Sequence, residues 1–211
     1  GETLAVKTWY WTREFEIEDR TTADHIPYRE LAETGEITIT PGRVIDYSFV
    51  AKQISDLCQQ YDVVQMAVDA AHLEKLMEEM VKQGFDHWLY DGPEEPEGVG
   101  LKIVKHKQGL QVSFDGDHLC MPTSITQLED HMLNKSVIID SNKLTTICAS
   151  NTVVRTDGMK NKMFDKNKSR GRIDGMVTVA MAVGSATSEM NGHSVAATPW
   201  DADPNFSLVG S

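Results

Sequence analysis

The sequence predicts an α/β protein, a mixed central β-sheet flanked by helices. Three observations predict it. Helix-like and strand-like periods alternate through residues 47–82. Residues 63–68 (VVQMAV) form a short, nearly continuous apolar run, the pattern of a strand buried on both faces. Residues 176–186 (MVTVAMAVGSA) are apolar on most sides and small on some, as in a helix packed tightly on a sheet.

In chain order, residues 4–11 (LAVKTWYW) are rich in β-branched and aromatic residues and predict a strand. Residues 13–20 are charged, and residues 24–32 (DHIPYRELA) predict a short capped helix with Pro27 in its first turn. Residues 36–40 (EITIT) alternate and stop at the Pro41–Gly42 turn, as a strand would. Between 47 and 60, Phe49, Val50, Ile54, Leu57 and Cys58 recur at helical spacing. After the buried strand, a helix is expected over 71–82, closed by Gly84. Residues 86–100, rich in Pro, Gly and Glu, read as an exposed loop. Strands are expected at 101–105, 111–114, 137–139 and 152–156, and a helix at 124–133. Gly184 lowers the helix propensity of the last apolar segment. Residues 1–187 are expected to form the domain, and 188–211, rich in Ser, Thr, Asn, Gly, Pro and Asp, a flexible tail. The opening on Gly1, with strand-like residues at once, reads as a chain that starts mid-domain.

Composition narrows the function classes. The 211 residues are 40% hydrophobic and 25% charged, ordinary values for a soluble globular protein. A net charge of −12 argues against wholesale coating of nucleic acid but leaves room for a local patch. No apolar run approaches the ~18–20 residues that cross a bilayer, and no signal-like segment opens the chain. Cys58, Cys120 and Cys148 are odd in number, lack a CxxC spacing, and read as reduced thiols. The seven histidines show no ligand spacing, and neither a Walker A motif nor GxSxG is present.

Two aspartates carry the most promising chemistry. Asp69 stands at the carboxyl end of the buried strand, the edge where open α/β sheets gather ligands. Asp174 opens the apolar helix within RGRIDGM. Each also reads simply as a helix cap. Brought together, they would suit Mg²⁺ or Mn²⁺. Residues 155–172 (RTDGMKNKMFDKNKSRGR) hold seven basic residues against two acidic ones, +5 within an acidic chain. That contrast, leading straight into Asp174, favours phosphate contact over a merely solvated loop.

Residues 150–186, SNTVVRTDGMKNKMFDKNKSRGRIDGMVTVAMAVGSA, combine a D-x-x-x-N turn, a K-x-K-S segment and R-I-D-G leading into a helix. With WYWTRE, HIPYRELAETGEITITPGRVIDY, YDVVQMAVDAAHLEKLMEEMVKQG, KHKQGL and MPTSITQLED, this pattern resembles the large terminase subunits of tailed phages of the HK97-like group over about residues 4–187. The resemblance implies a ribonuclease H-like nuclease domain with an acidic cluster that holds two divalent ions, Mg²⁺ or Mn²⁺. Asp69 and Asp174 match two of its acids. Lys160, Lys162, Lys166, Lys168 and Arg170 are then expected to hold DNA phosphates. The family's first acid and its strand lie ahead of the region matched by this chain, as does its ATPase domain. Within residues 139–143 (IDSNK), Asp140 and Asn142 fit the family's His-Asp-Gly-Asn-Pro-like turn, whereas its His and Pro are absent. The resemblance further implies double-stranded DNA, the terminase small subunit and the portal as partners, no membrane, and a place in the host bacterial cytoplasm. The expected function is endonucleolytic cutting of concatemeric DNA. The alternatives are a non-catalytic DNA-binding and docking module, and a resolvase of branched DNA.

Overall fold

In the computed structural model, which describes residues 3–69, 73–92, 97–110, 112 and 119–188, strands and helices alternate as an α/β chain. The strand expected over 4–11 is divided into β1 (Leu4–Val6) and β2 (Trp11–Arg13). Between them the backbone N–H and hydroxyl of Thr8 both donate to the Asp140 carboxylate, at 2.8 Å each. A side chain thus takes the donor that a continuous ladder would need. β1 pairs in parallel with β8 (Val137–Ile139), and β2 in parallel with β3 (Thr38–Thr40).

The charged segment after β2 holds an unexpected helix, α1 (Ile17–Asp24), anchored by buried Ile17. Its early acids, Glu18 and Asp19, face the positive end of the helix dipole. His25 then adopts a left-handed backbone (φ 55) and stops it, so α2 begins only at Tyr28 and runs to Glu33. α3 (Tyr47–Gln60) follows the apolar spacing, and Asp46 caps it by accepting the Ser48 N–H at 2.9 Å.

β4 (Met66–Val68) is shorter than the apolar run and half-buried rather than enclosed on both faces. Met66 and Val68 line an open apolar groove of about 460 Å³ shared with Val6, Trp9 and Trp11, which explains the exposure. α4 (Leu73–Lys82) buries Leu73 and Met80; the expected start at Ala71 lies outside the described residues. Inside the expected loop lies another strand, β5 (His87–Tyr90). It pairs in parallel with β6 (Leu101–Lys107), whose other edge takes β4, also in parallel. β7 (Leu119–Cys120) extends the pairing at the end of β6. The strand expected at 111–114 falls outside the described residues except Val112, which belongs to no strand. The expected tail is likewise outside them from residue 189 onward.

α5 (Met121–Leu133) starts earlier than expected because Pro122 suits a first helical turn. α6 (Lys143–Asn151) was not apparent in the sequence; Asn142 caps it, accepting from Leu144 and Thr145. β9 (Val154–Thr156) and β10 (Lys162–Phe164) form an antiparallel hairpin, and α7 (Asp174–Ala186) closes the described fold. In place of one mixed sheet, the described residues form a parallel sheet around β6 and three two-stranded sheets.

Two hydrophobic clusters result. The larger gathers Ile125 and Leu128 of α5, Leu144 and Cys148 of α6, and Val179, Ala180 and Val183 of α7. The smaller joins Ala51 of α3, Met80 of α4 and Ile103 of β6. Where α7 crosses α5, Gly184 faces Ser124, whose hydroxyl meets Nε2 of buried His106 at 2.9 Å. All three cysteines are free thiols. No helix among the described residues is long and apolar enough to cross a membrane.

Candidate functional site

β4 ends at Val68, which sets Asp69 at its carboxyl edge. α7, packed against β4 and β1, begins with Asp174. The two aspartates, far apart in sequence, line one cleft of about 560 Å³ together with Gln108, Arg155, Lys166 and Asn167. Both are exposed. Asp174 acts as the first residue of its helix rather than as the capping residue, which is Ile173.

The surroundings of the pair are built from polar ties. Asp140 holds Thr8, the Thr8 hydroxyl lies 2.9 Å from that of Thr145, and the Tyr10 hydroxyl lies 2.7 Å from the same Thr145 oxygen. Burial pushes the Tyr10 phenol up to about 12, against the pull of its hydrogen bonds, so it stays neutral. This chain of hydroxyls ties the segment between β1 and β2 to Asp140 and to α6, and the Tyr10 hydroxyl lies close against Gly175 of α7. Burial also draws His106 down to about 4, opposed by backbone hydrogen bonds and by the charge of Asp69. His106 is therefore a neutral hydrogen-bonding group, in contact with Ser124 and with Gln108 of the cleft wall.

Asp165 is a third aspartate on the cleft wall, and sequence reading gave it no role. It is buried, and its carboxylate accepts the N–H groups of Asn167 and Lys168 at 3.1 and 3.3 Å. Its work is to shape the turn that presents Lys166. Among the described residues, no three His, Cys, Asp or Glu side chains converge as a metal cluster. The donor set is thus Asp69 and Asp174, two hard carboxylates open to solvent. Such a pair fits part of the oxygen shell of Mg²⁺ or Mn²⁺.

The predicted phosphate contacts separate. Lys166 lines the cleft. Lys160 sits in a left-handed backbone (φ 67) at the tip of the β9–β10 hairpin, exposed. Lys162 is paired with Glu129 and offers no free charge there. Lys168 and Arg170 are exposed beyond the cleft lining. Asp157 organises the hairpin turn, accepting from the N–H groups of Met159 (2.9 Å) and Asn161 (2.8 Å). Those bonds and the Asn161 amide outweigh desolvation and hold its carboxyl below the usual range. The D-x-x-x-N pattern is therefore a turn device. Arg155, on the cleft wall, is a further cation whose position the sequence did not disclose.

No family model matches the chain. Over 182 residues, 86% of its length, the chain is 31% identical to the large terminase subunit of Enterobacteria phage HK97. The crystal structure of the HK97 bacteriophage large terminase matches with a TM-score of 0.66 and 32% identity across 83% of the chain. In both comparisons the chain spans 32% of the relative's length.

Proposed function

The chain is a homologue of one segment of the phage terminase large subunit, and from that premise we propose that it is the DNA-cutting part of a packaging motor, a metal-dependent endonuclease of ribonuclease H-like fold. One observation carries the reading: Asp69 from a strand end and Asp174 from a helix start face the same cleft. Arg155 and Lys166 stand on that cleft to hold the phosphates on either side of the bond to be cut. Mg²⁺ or Mn²⁺ bound by Asp69 and Asp174, in a two-ion site, would supply an activated water and neutralise charge at the departing 3′ oxygen. The chain's own contribution is positional. Asp174 is fixed by the packing of α7, Asp69 by the pairing of β4 with β6, and the turn ordered by Asp165 aims Lys166. The substrate would be concatemeric double-stranded DNA, cut with little sequence preference when packaging starts and when the capsid is full. The small subunit and portal would be its partners in the host cytoplasm.

Asp174→Ala is expected to abolish Mn²⁺-dependent nicking and linearisation of plasmid while leaving circular dichroism unchanged. Undiminished cutting by that variant would remove Asp174 from the mechanism. The third aspartate of the cleft wall, Asp165, is buried and engaged in its own turn, which favours a second reading, a DNA-holding module without cleavage. That module would show salt-sensitive DNA binding and no metal-dependent products.

A further inference from the structure

Beside the aspartate cleft lies a second cavity, about 270 Å³, between β2, the α1–α2 corner and the start of α7. Arg13, Arg20 and Arg172 all line it, and the acidic residue on its wall is Asp174. The three guanidinium groups are held in different ways. Arg20 donates one terminal nitrogen to the Thr12 hydroxyl at 2.6 Å and the other to the Arg13 carbonyl, while its Nε is buried without an acceptor. Arg172 commits its Nε to Asp24 at 3.0 Å, and Asp24 is steadied by the Tyr28 hydroxyl at 2.8 Å. Its terminal nitrogens make no hydrogen bond or ion pair among the described residues. Arg13 has a buried Nε without an acceptor and makes no ion pair among the described residues.

Buried donors without acceptors are rare in folded proteins, and each calls for a ligand, ion or water to complete it. The two arginines that carry such atoms line one cavity, where positive charge exceeds negative. Guanidinium forks match the oxygens of a phosphate, bidentate and charge-assisted. The volume falls just below the about 300–1,000 Å³ of ordinary small-molecule pockets, which suits a group rather than a whole cofactor. Asp174 belongs to the walls of both cavities, so a strand crossing the aspartate cleft passes the arginine pocket next.

We propose that the Arg13–Arg20–Arg172 pocket binds a phosphate group, that of the DNA strand flanking the cut. The assignment of that phosphate to DNA rests on the nuclease reading; the phosphate chemistry of the pocket does not. The basic hairpin and this pocket would then hold the backbone on two sides of Asp174.

The test uses the full chain, its Arg13→Gln variant and Arg43→Gln as a control that removes an arginine stacked on Phe15. Inorganic phosphate at matched ionic strength is expected to raise the Tm of the parent and of Arg43→Gln, and to leave Arg13→Gln unmoved. Without phosphate, Arg13→Gln should melt at or above the parent, because a repelling charge is gone and no hydrogen bond is lost. With Ca²⁺ in place of Mn²⁺, Arg13→Gln should bind a short DNA duplex about tenfold more weakly, its salt slope reduced by about 0.9. Loss of the phosphate response with unchanged DNA binding would support the pocket and identify free phosphate as its source. A parent indifferent to phosphate whose DNA binding is also indifferent to Arg13→Gln would overturn the proposal. A chain that binds phosphate through Arg13 yet cuts no DNA with Mn²⁺ would defeat the nuclease reading and leave this one standing.

Discussion

Replacing Gly175 with alanine tests how the entry to α7 is built. Gly175 follows Asp174 and is buried. A methyl group there would overlap the Tyr10 hydroxyl and stand 3.2 Å from both Cβ and Sγ of Cys148. The hydroxyl would have to retreat by roughly 1 Å to regain ordinary contact, yet its 2.7 Å hydrogen bond to Thr145 holds it in place. Overpacking of this kind costs ~1–3 kcal/mol, and straining the hydrogen bond adds about 1 kcal/mol. Alanine's better helix propensity returns about 1 kcal/mol at most. The expected net loss is ~1–3 kcal/mol, a Tm lowered by something on the order of 2–12 °C in a chain of this size. Urea unfolding followed by circular dichroism measures it. Adding Tyr10→Phe removes the overlapping oxygen, so the double variant should recover about 1 kcal/mol relative to Gly175→Ala alone. A Gly175→Ala chain as stable as its parent, or a double variant without recovery, refutes the reasoning.

Gly184→Ala should act in the same direction for a different reason. Its methyl would lie 2.6 Å from Cβ and 3.0 Å from Cα of Ser124, with Oγ closer still, so α5 and α7 must part and the Ser124–His106 bond suffers. A loss of about 2–4 kcal/mol is expected in urea titration, and a gain from helix propensity alone would contradict it. His106 gives a pH dependence. Its folded value of about 4, set by burial, lies below the unfolded value near 6.5. The unfolded chain therefore binds the proton first. Stability from this group is complete above pH ~6.5 and is lost as pH falls toward 4. Replacing His106 with Gln should flatten that part of the stability curve relative to the parent, and parallel curves would show that His106 is not the group responsible.

Elements that bury one clear stripe were legible in the sequence, and elements held by polar anchors were not. α3 and β8 run where the apolar spacing put them. α6, KLTTICASN, carries Thr, Ser and Asn that weaken helix propensity. It is held instead by the Asn142 cap and by burial of Leu144, Thr145 and Cys148. α1 shows charge rather than periodicity and depends on one buried residue, Ile17. β5 hides in a Pro- and Gly-rich stretch because its four residues, HWLY, gain their place by pairing with a distant strand, β6. At the site, strand-end and helix-start positions singled out Asp69 and Asp174, but their shared cleft depends on tertiary packing. The charge run suggested five phosphate contacts as a group. Folding separates them, because Lys162 meets Glu129 on α5 while Lys166 is turned into the cleft by Asp165. Arg13, Arg20 and Arg172 come from three segments, so no local pattern could have disclosed their pocket.

The two aspartates are carried by elements that pack in different hydrophobic clusters, and that division governs how the cleft can respond to mutation. Asp174 heads α7, whose Val179, Ala180 and Val183 sit in the larger cluster. Asp69 follows β4, whose Met66 and Val68 pack on the smaller one. The seam joining them is α7 against β4, where the Gln65 side-chain amide donates to the Ser185 hydroxyl at 2.9 Å and to its carbonyl at 3.3 Å. Side chains in either cluster can be trimmed at a cost in stability without altering the carboxylate spacing, provided this seam holds. Small displacements along it change the spacing directly, and a divalent ion shared by two carboxylates tolerates little error in ligand position. The proposed catalysis therefore depends more on the register between α7 and β4 than on the depth of either core.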